Sequence, residues 1–132
     1  MGPKIKGTRA ERELVHMLWN SNFAALRAAG SGSTPLPCPD IIAGNGIRKL
    51  AIECKSLKDK TEYIKKEKVE ELIKFARKFG AEPWIAIRFD NEGWFFLNHE
   101  DTERSKDGSY IIPLEKARQK GLTFKELIEK VY

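Results

Sequence analysis

PDIIAGNGIRKLAIECK, residues 39–55, sets an Asp at the mouth of one apolar run and a Glu and a Lys inside the next. Asn45-Gly46 between two apolar runs is a strong turn signal, so Asp40 to Ala43 and Arg48 to Lys55 read as the arms of a β-hairpin. Side chains alternate along the second arm: Leu50, Ile52 and Cys54 point one way, Ala51, Glu53 and Lys55 the other. Glu53 and Lys55 therefore share a face, about 6.7 Å apart along the strand. The hairpin also brings Asp40 beside the end that carries Glu53, so two carboxylates and a lysine converge at one end of a sheet.

Like charges at that spacing repel, and each carboxylate raises the pKa of the other. A hard divalent cation resolves the conflict. Mg²⁺ takes oxygen ligands and keeps several waters, so Asp40, Glu53 and a strand carbonyl such as that of Cys54 form a partial cage whose open positions suit phosphodiester oxygens. Lys55 beside it can orient a water and stabilise charge developing on phosphorus. The same residues also fit a plain edge-strand ion pair between Glu53 and Lys55, with Asp40 as a turn residue, and the short pattern alone does not separate the two.

Working outward, Thr8 to about Asn20 reads as a helix with Leu14, Val15, Leu18 and Trp19 as its apolar stripe, and Phe23 to Leu26 as a short strand. Glu11 has two readings. Thr8-Arg9-Ala10-Glu11 matches a capping box, yet Val15 and Leu18 follow Glu11 at helical spacing, so it also lies along the core-facing stripe as a third acid. The Gly, Ser and Pro residues from Gly30 to Pro39 continue neither helix nor strand and predict a flexible loop. Beyond the hairpin, a lysine-rich segment from Lys58 to Lys68 leads into a helix over about Glu67 to Phe79 that stops at Gly80. Pro83 to Phe89 and Trp94 to Leu97 are two further strands, Tyr110 to Pro113 precedes a short helix over Leu114 to Lys120, and Thr123 opens a last helix. This order predicts an α/β chain: one domain over residues 1–132, with a central mixed sheet of about five strands flanked by helices.

The net charge of +5 is uneven, +7 over residues 1–80 and −2 over residues 81–132. A polyanion would sit on the first part. Arg12 and Arg27 are candidate phosphate contacts, and Ser31 and Ser33 could bond phosphates from the loop, although Gly-Ser composition also serves flexibility alone. Lys58, Lys60, Lys65, Lys66 and Lys68 form a basic stretch around Tyr63 that suits a phosphate backbone or simply a solvated face. Trp84, Trp94, Phe95 and Phe96 belong on apolar strands as core or dimer surface. Two cysteines, Cys38 and Cys54, make neither a disulfide framework nor a zinc site, and no apolar run follows the basic start, so free thiols, no membrane association and a cytoplasmic location are expected.

Taken in order, Lys6-Gly7, Ala10 to Leu14, Phe23 to Arg27, Gly30-Ser-Gly-Ser33, Pro39 to Ala43, Ile52-Glu-Cys-Lys55 and Phe75 to Gly80 resemble the archaeal Holliday junction resolvases, within the PD-(D/E)xK nuclease superfamily. The resemblance spans Lys6 to about Leu97. It implies a restriction-endonuclease-like fold and a homodimer that binds four-way DNA junctions and nicks two opposing strands symmetrically with Mg²⁺ or Mn²⁺, in recombination and repair; it also allows replication or recombination proteins as partners. By position it implies Glu11, Asp40 and Glu53 as the acidic metal site, Lys55 as the catalytic lysine, Ser31 near the scissile phosphate, and Arg12 and Arg27 on the DNA-facing surface. The same features leave room for a nuclease of this fold acting on other branched DNA, a non-catalytic junction-binding paralogue, or a basic protein-interaction domain.

Overall fold

Strand β3 (Lys49–Leu57) is buried on both faces, and the rest of the fold is arranged to cover it. In the computed structural model, which describes residues 3–28 and 35–130, with side chains from residue 8 onward, it lies at the centre of a five-stranded sheet. Its neighbours are β2 (Ile41–Gly44), antiparallel, and β5 (Glu82–Phe89), parallel. β1 (Ala24–Arg27) and β6 (Gly93–Leu97) form the sheet's two outer strands. The expected mixed sheet of five strands flanked by helices is therefore present.

The alternation read in the hairpin is what divides the two cores. Leu50, Ile52 and Cys54 pack with Leu14, Leu18, Phe23, Trp84 and Phe96, beneath α1 (Pro3–Trp19) and α4 (Phe124–Glu129). On the other face Ala51 packs with Ile85 and Ile87 against Val69, Leu72 and Ala76 of α2 (Lys66–Phe79). α2 is the crossover that joins β3 to its parallel neighbour, a connection that needs a dozen or more residues. The hairpin itself turns through Asn45, whose Oδ1 accepts from the amides of Ile47 and Arg48 at 2.9 and 2.6 Å, and Gly46, whose φ of 94° favours glycine.

Two expectations need correction. α1 begins at Pro3 rather than Thr8, so Thr8 lies inside the helix and caps nothing; a Pro is well suited to a first helical position, where its missing N–H has no partner to lose. The lysine-rich segment is not a lead-in to a helix alone: Thr61–Ile64 forms β4, which pairs with β8 (Tyr110–Pro113), itself paired with β7 (Glu103–Arg104), in a second, three-stranded sheet. Its inward anchor is Ile64, fully buried, so one apolar residue in four positions it. The helices α3 (Leu114–Lys120) and α4 follow as expected, and α4 carries a reciprocal cap in which Glu126 N–H donates to Thr123 and Thr123 N–H donates to Glu126. The stretch 29–34, with Ser31 and Ser33, lies outside the described residues. Among the described residues no helix is long and apolar enough to cross a membrane.

One partly buried ion pair ties α4 to the sheet. Arg48 Nε and Nη2 donate to the two oxygens of Glu82, each at 2.9 Å, and Nη1 donates to the Leu127 carbonyl at 2.7 Å, at the end of α4. Trp84 Nε1 also donates to Glu82, at 3.0 Å. Breaking such a pair from one side strands a charge in a poorly hydrated place. Arg48→Met should cost about 3 kcal/mol in denaturant-induced unfolding, and the double variant with Glu82→Gln should recover part of that loss.

Candidate active site

The register of the hairpin settles where Asp40 stands. Ile41 pairs with Ile52, so the preceding residue lies across from Glu53. The Asp40 amide donates to the Ile52 carbonyl at 3.0 Å, and its Oδ2 accepts from the Cys54 amide at 2.8 Å. Asp40 is thereby fastened to β3 by main chain and side chain at once, and it is the Cys54 amide, not its carbonyl, that meets it. The backbone has fixed this carboxylate before any ligand arrives.

Glu53 is 5% exposed, the single buried charged-type residue of the described core. Burial, and then the neighbouring Asp40 charge, push its carboxyl up to about 8, while Lys55 and Lys68 pull the other way. At neutral pH it keeps its proton and donates it to the Asp40 carboxylate. Two oxygen-rich groups are thus held together by a proton where the charge on Glu53 is costly. A hard divalent cation can replace that proton, so the donor set fits Mg²⁺ or a similar ion.

Lys55 reaches the pair from the same face, its Nζ 3.8 Å from Glu53 Oε2. The simpler reading of an edge-strand ion pair with Asp40 in a turn is corrected: β3 is the central strand, and Asp40 is bonded to it beside Glu53 and Lys55. Burial raises the Cys54 thiol, and the charges of Asp40, Glu11 and Glu53 raise it further, which puts Glu11 within electrostatic reach of this end of the sheet. The Glu11 side chain, however, is engaged by Arg27, whose Nε donates to Oε1 at 2.8 Å. Among the described residues no three His, Cys, Asp or Glu side chains are gathered as an ion cage.

The basic candidates fall into separate places. Arg12 is exposed on α1; Lys58 and Lys60 are exposed in the turn after β3; Lys65 and Lys66 are exposed where β4 passes into α2. Lys68, in the sequence one member of a basic stretch, lies in the first turn of α2 and acts on Glu53. Glu62 stands outside the sequence-based candidates. Lys55 acts on its carboxyl, which partial burial pushes up. No sequence signal marks Glu62, because β4 itself is hidden among lysines. Trp84 and Phe96 are buried as expected.

Comparison with known proteins gives one answer. The family described as Archaeal holliday junction resolvase (hjc) matches residues 3–132. The crossover junction endodeoxyribonuclease Hjc of Archaeoglobus fulgidus is 44% identical over 129 residues, covering 93% of this chain and 95% of that protein. The Hjc protein of Sulfolobus acidocaldarius is 35% identical over 133 residues, covering 99% and 92%. The solved structure of A. fulgidus Hjc, a Holliday junction resolvase from an archaeal hyperthermophile, superposes with a TM-score of 0.85 at 42% identity, covering 92% of this chain and 99% of that one. A match across nearly the whole length, in sequence and in fold, is what the ordered motifs of the first 100 residues predict, and this chain belongs to the archaeal Holliday junction resolvase family.

Proposed function

We propose that this chain is a crossover junction endodeoxyribonuclease that resolves four-way DNA junctions by paired, metal-dependent hydrolysis of two opposing strands. The observation that carries the reading is the Asp40–Glu53 pair with Lys55 at its side, at one sheet end, in a chain of this family. Asp40 and Glu53 would hold a Mg²⁺ or Mn²⁺ ion, with Glu11 and the Cys54 carbonyl as further ligands. The ion, when bound, supplies Lewis-acid polarisation and a more acidic water.

The chain's own groups account for the rest. Asp40 is fixed by two bonds to β3, so it positions ligands without reorganising during the reaction. Glu53 would release its proton to solvent on loading of the site and so serve as the second anionic anchor. Lys55, one third exposed, can reach a phosphate oxygen on the open side and stabilise the charge that builds there while a water oxygen bonds to phosphorus and an ester oxygen leaves. Arg12, Lys58, Lys60, Lys65 and Lys66, all exposed, supply sequence-independent contacts to the backbone; Ser31 is assigned near the scissile phosphate and Ser33 to DNA contact by the family resemblance, both outside the described residues.

A junction offers two equivalent strands, so a two-fold enzyme matches it. The surface best suited to that contact is α2, where Phe75 and Phe79 stack at 5.3 Å and, with Leu36 and Pro37, line a groove of about 430 Å³. Phe79 is 48% exposed and Leu36 70%, an apolar patch between Lys74 and Lys78. A second copy of the chain is its proposed occupant.

Asp40→Asn and Glu53→Gln should each lower junction cutting by at least roughly 100-fold while leaving gel-shift affinity for the junction within a few-fold of the parent. Equal loss of cutting and binding would make the acids structural, and equal cutting of a matched linear duplex by the parent would remove the junction-specific reading. Phe79→Asp should convert a dimer to monomer by light scattering and uncouple the paired nicks, so that singly nicked junctions accumulate; an unchanged mass would place the contact elsewhere.

A further inference from the structure

Among the described residues the three acids proposed for the cation site do not stand together. Asp40 and Glu53 share a hydrogen bond, whereas Glu11 is turned to Arg27, with 2.8 Å between Oε1 and Nε. Both ends of this pair are anchored through their backbones. Glu11 lies three residues before Leu14 and seven before Leu18, both with no exposed surface, so α1 cannot roll without emptying the core. Arg27 pairs with Ile41, and the amide after it, that of Ala28, donates to the Asp40 carbonyl at 2.9 Å. Arg27 is thus laid alongside the residue that begins the site.

What remains free to move is side-chain rotation. The pair is partly hydrated, with side chains 25% and 19% exposed, so an incoming anion can compete for the guanidinium. A phosphodiester offers two oxygens to the planar fork of an arginine and suits it at least as well as one carboxylate oxygen. Glu11 acts on the Cys54 thiol, as Asp40 and Glu53 do, so once released from Arg27 its carboxylate is on hand for a cation held by those two acids.

We propose that Arg27 is a positioning residue that couples DNA binding to completion of the cation site: it holds Glu11 away from Asp40 and Glu53 in the free protein and releases it when a backbone phosphate takes its place. The inference rests on the metal-dependent reading given above. It follows that the free protein holds its cation weakly, through two acids, and the DNA-bound protein tightly, through three. Cation and DNA then strengthen each other's binding by the same factor, as linkage requires.

Mn²⁺ binding to the full-length, DNA-free protein, followed by electron paramagnetic resonance, tests this in a cycle of wild type, Glu11→Gln, Arg27→Met and the double variant. Replacing Glu11 should cost little in the wild-type background and roughly five- to tenfold more when Arg27 is Met, because only then is Glu11 available as a ligand. The same cost in both backgrounds would mean that Arg27 acts on the cation through its charge alone and would overturn the proposal. Asp40→Asn keeps this separate from the underlying reading: it should abolish Mn²⁺ binding, and if it leaves binding untouched, the metal site itself is wrong. Should Arg27→Met fail to fold, Glu11→Gln alone still decides, since a loss as large as that of Asp40→Asn would show Glu11 already coordinating in the free protein.

Discussion

Everything at the functional end of this molecule depends on one constraint: Asp40 is laced to β3 through both its amide and its carboxylate, directly across from a buried Glu53. The backbone forces the two acids together, and burial of Glu53 beside the Asp40 charge then disfavours its ionised form. The ordinary carboxylate value of 4.5 moves to about 8 in the folded chain, so from 4.5 upward the unfolded chain loses a proton that the folded chain keeps. Folded-state stability therefore falls as pH rises through that window, by about 1.4 kcal/mol per unit for one such group, until Glu53 ionises. A cation that displaced the proton would offset that cost.

The site's outline was readable because its chemistry and its fold use the same signal. Period-two alternation from Leu50 to Lys55 sorts core from site, and Asn45-Gly46 folds Asp40 back upon it; the structure repeats both. Other parts were not readable for equally physical reasons. β4 offers four residues with one buried anchor, Ile64, inside a run of lysines whose polarity hides any pattern. Thr8 had the chemistry of a cap and lost that role because Pro3 opens the helix five residues earlier. The Glu11–Arg27 pair links positions 16 residues apart on a helix and an outer strand, a contact that no local pattern encodes.

Distribution of cations around the acids completes the picture. Lys55 and Lys68 approach Glu53 from different elements, one on the strand and one on the first turn of α2, and both favour its ionised form. Neither outweighs burial. The site is thereby left poised, close to ionisation at neutral pH yet still protonated, which lets a modest change in its surroundings decide its state. Arg48 with Glu82 shows the contrasting solution in the same fold, where a partly buried charge meets a bidentate partner and stays paired for structural ends.

The most direct test is the titration of the Glu53 carboxyl carbon by ¹³C NMR, assigned by its absence in Glu53→Gln. In EDTA it should titrate near 8, and in saturating Mg²⁺ its transition should drop into the ordinary carboxylate range. An ordinary value in EDTA, or a value near 8 that Mg²⁺ does not move, would contradict the account.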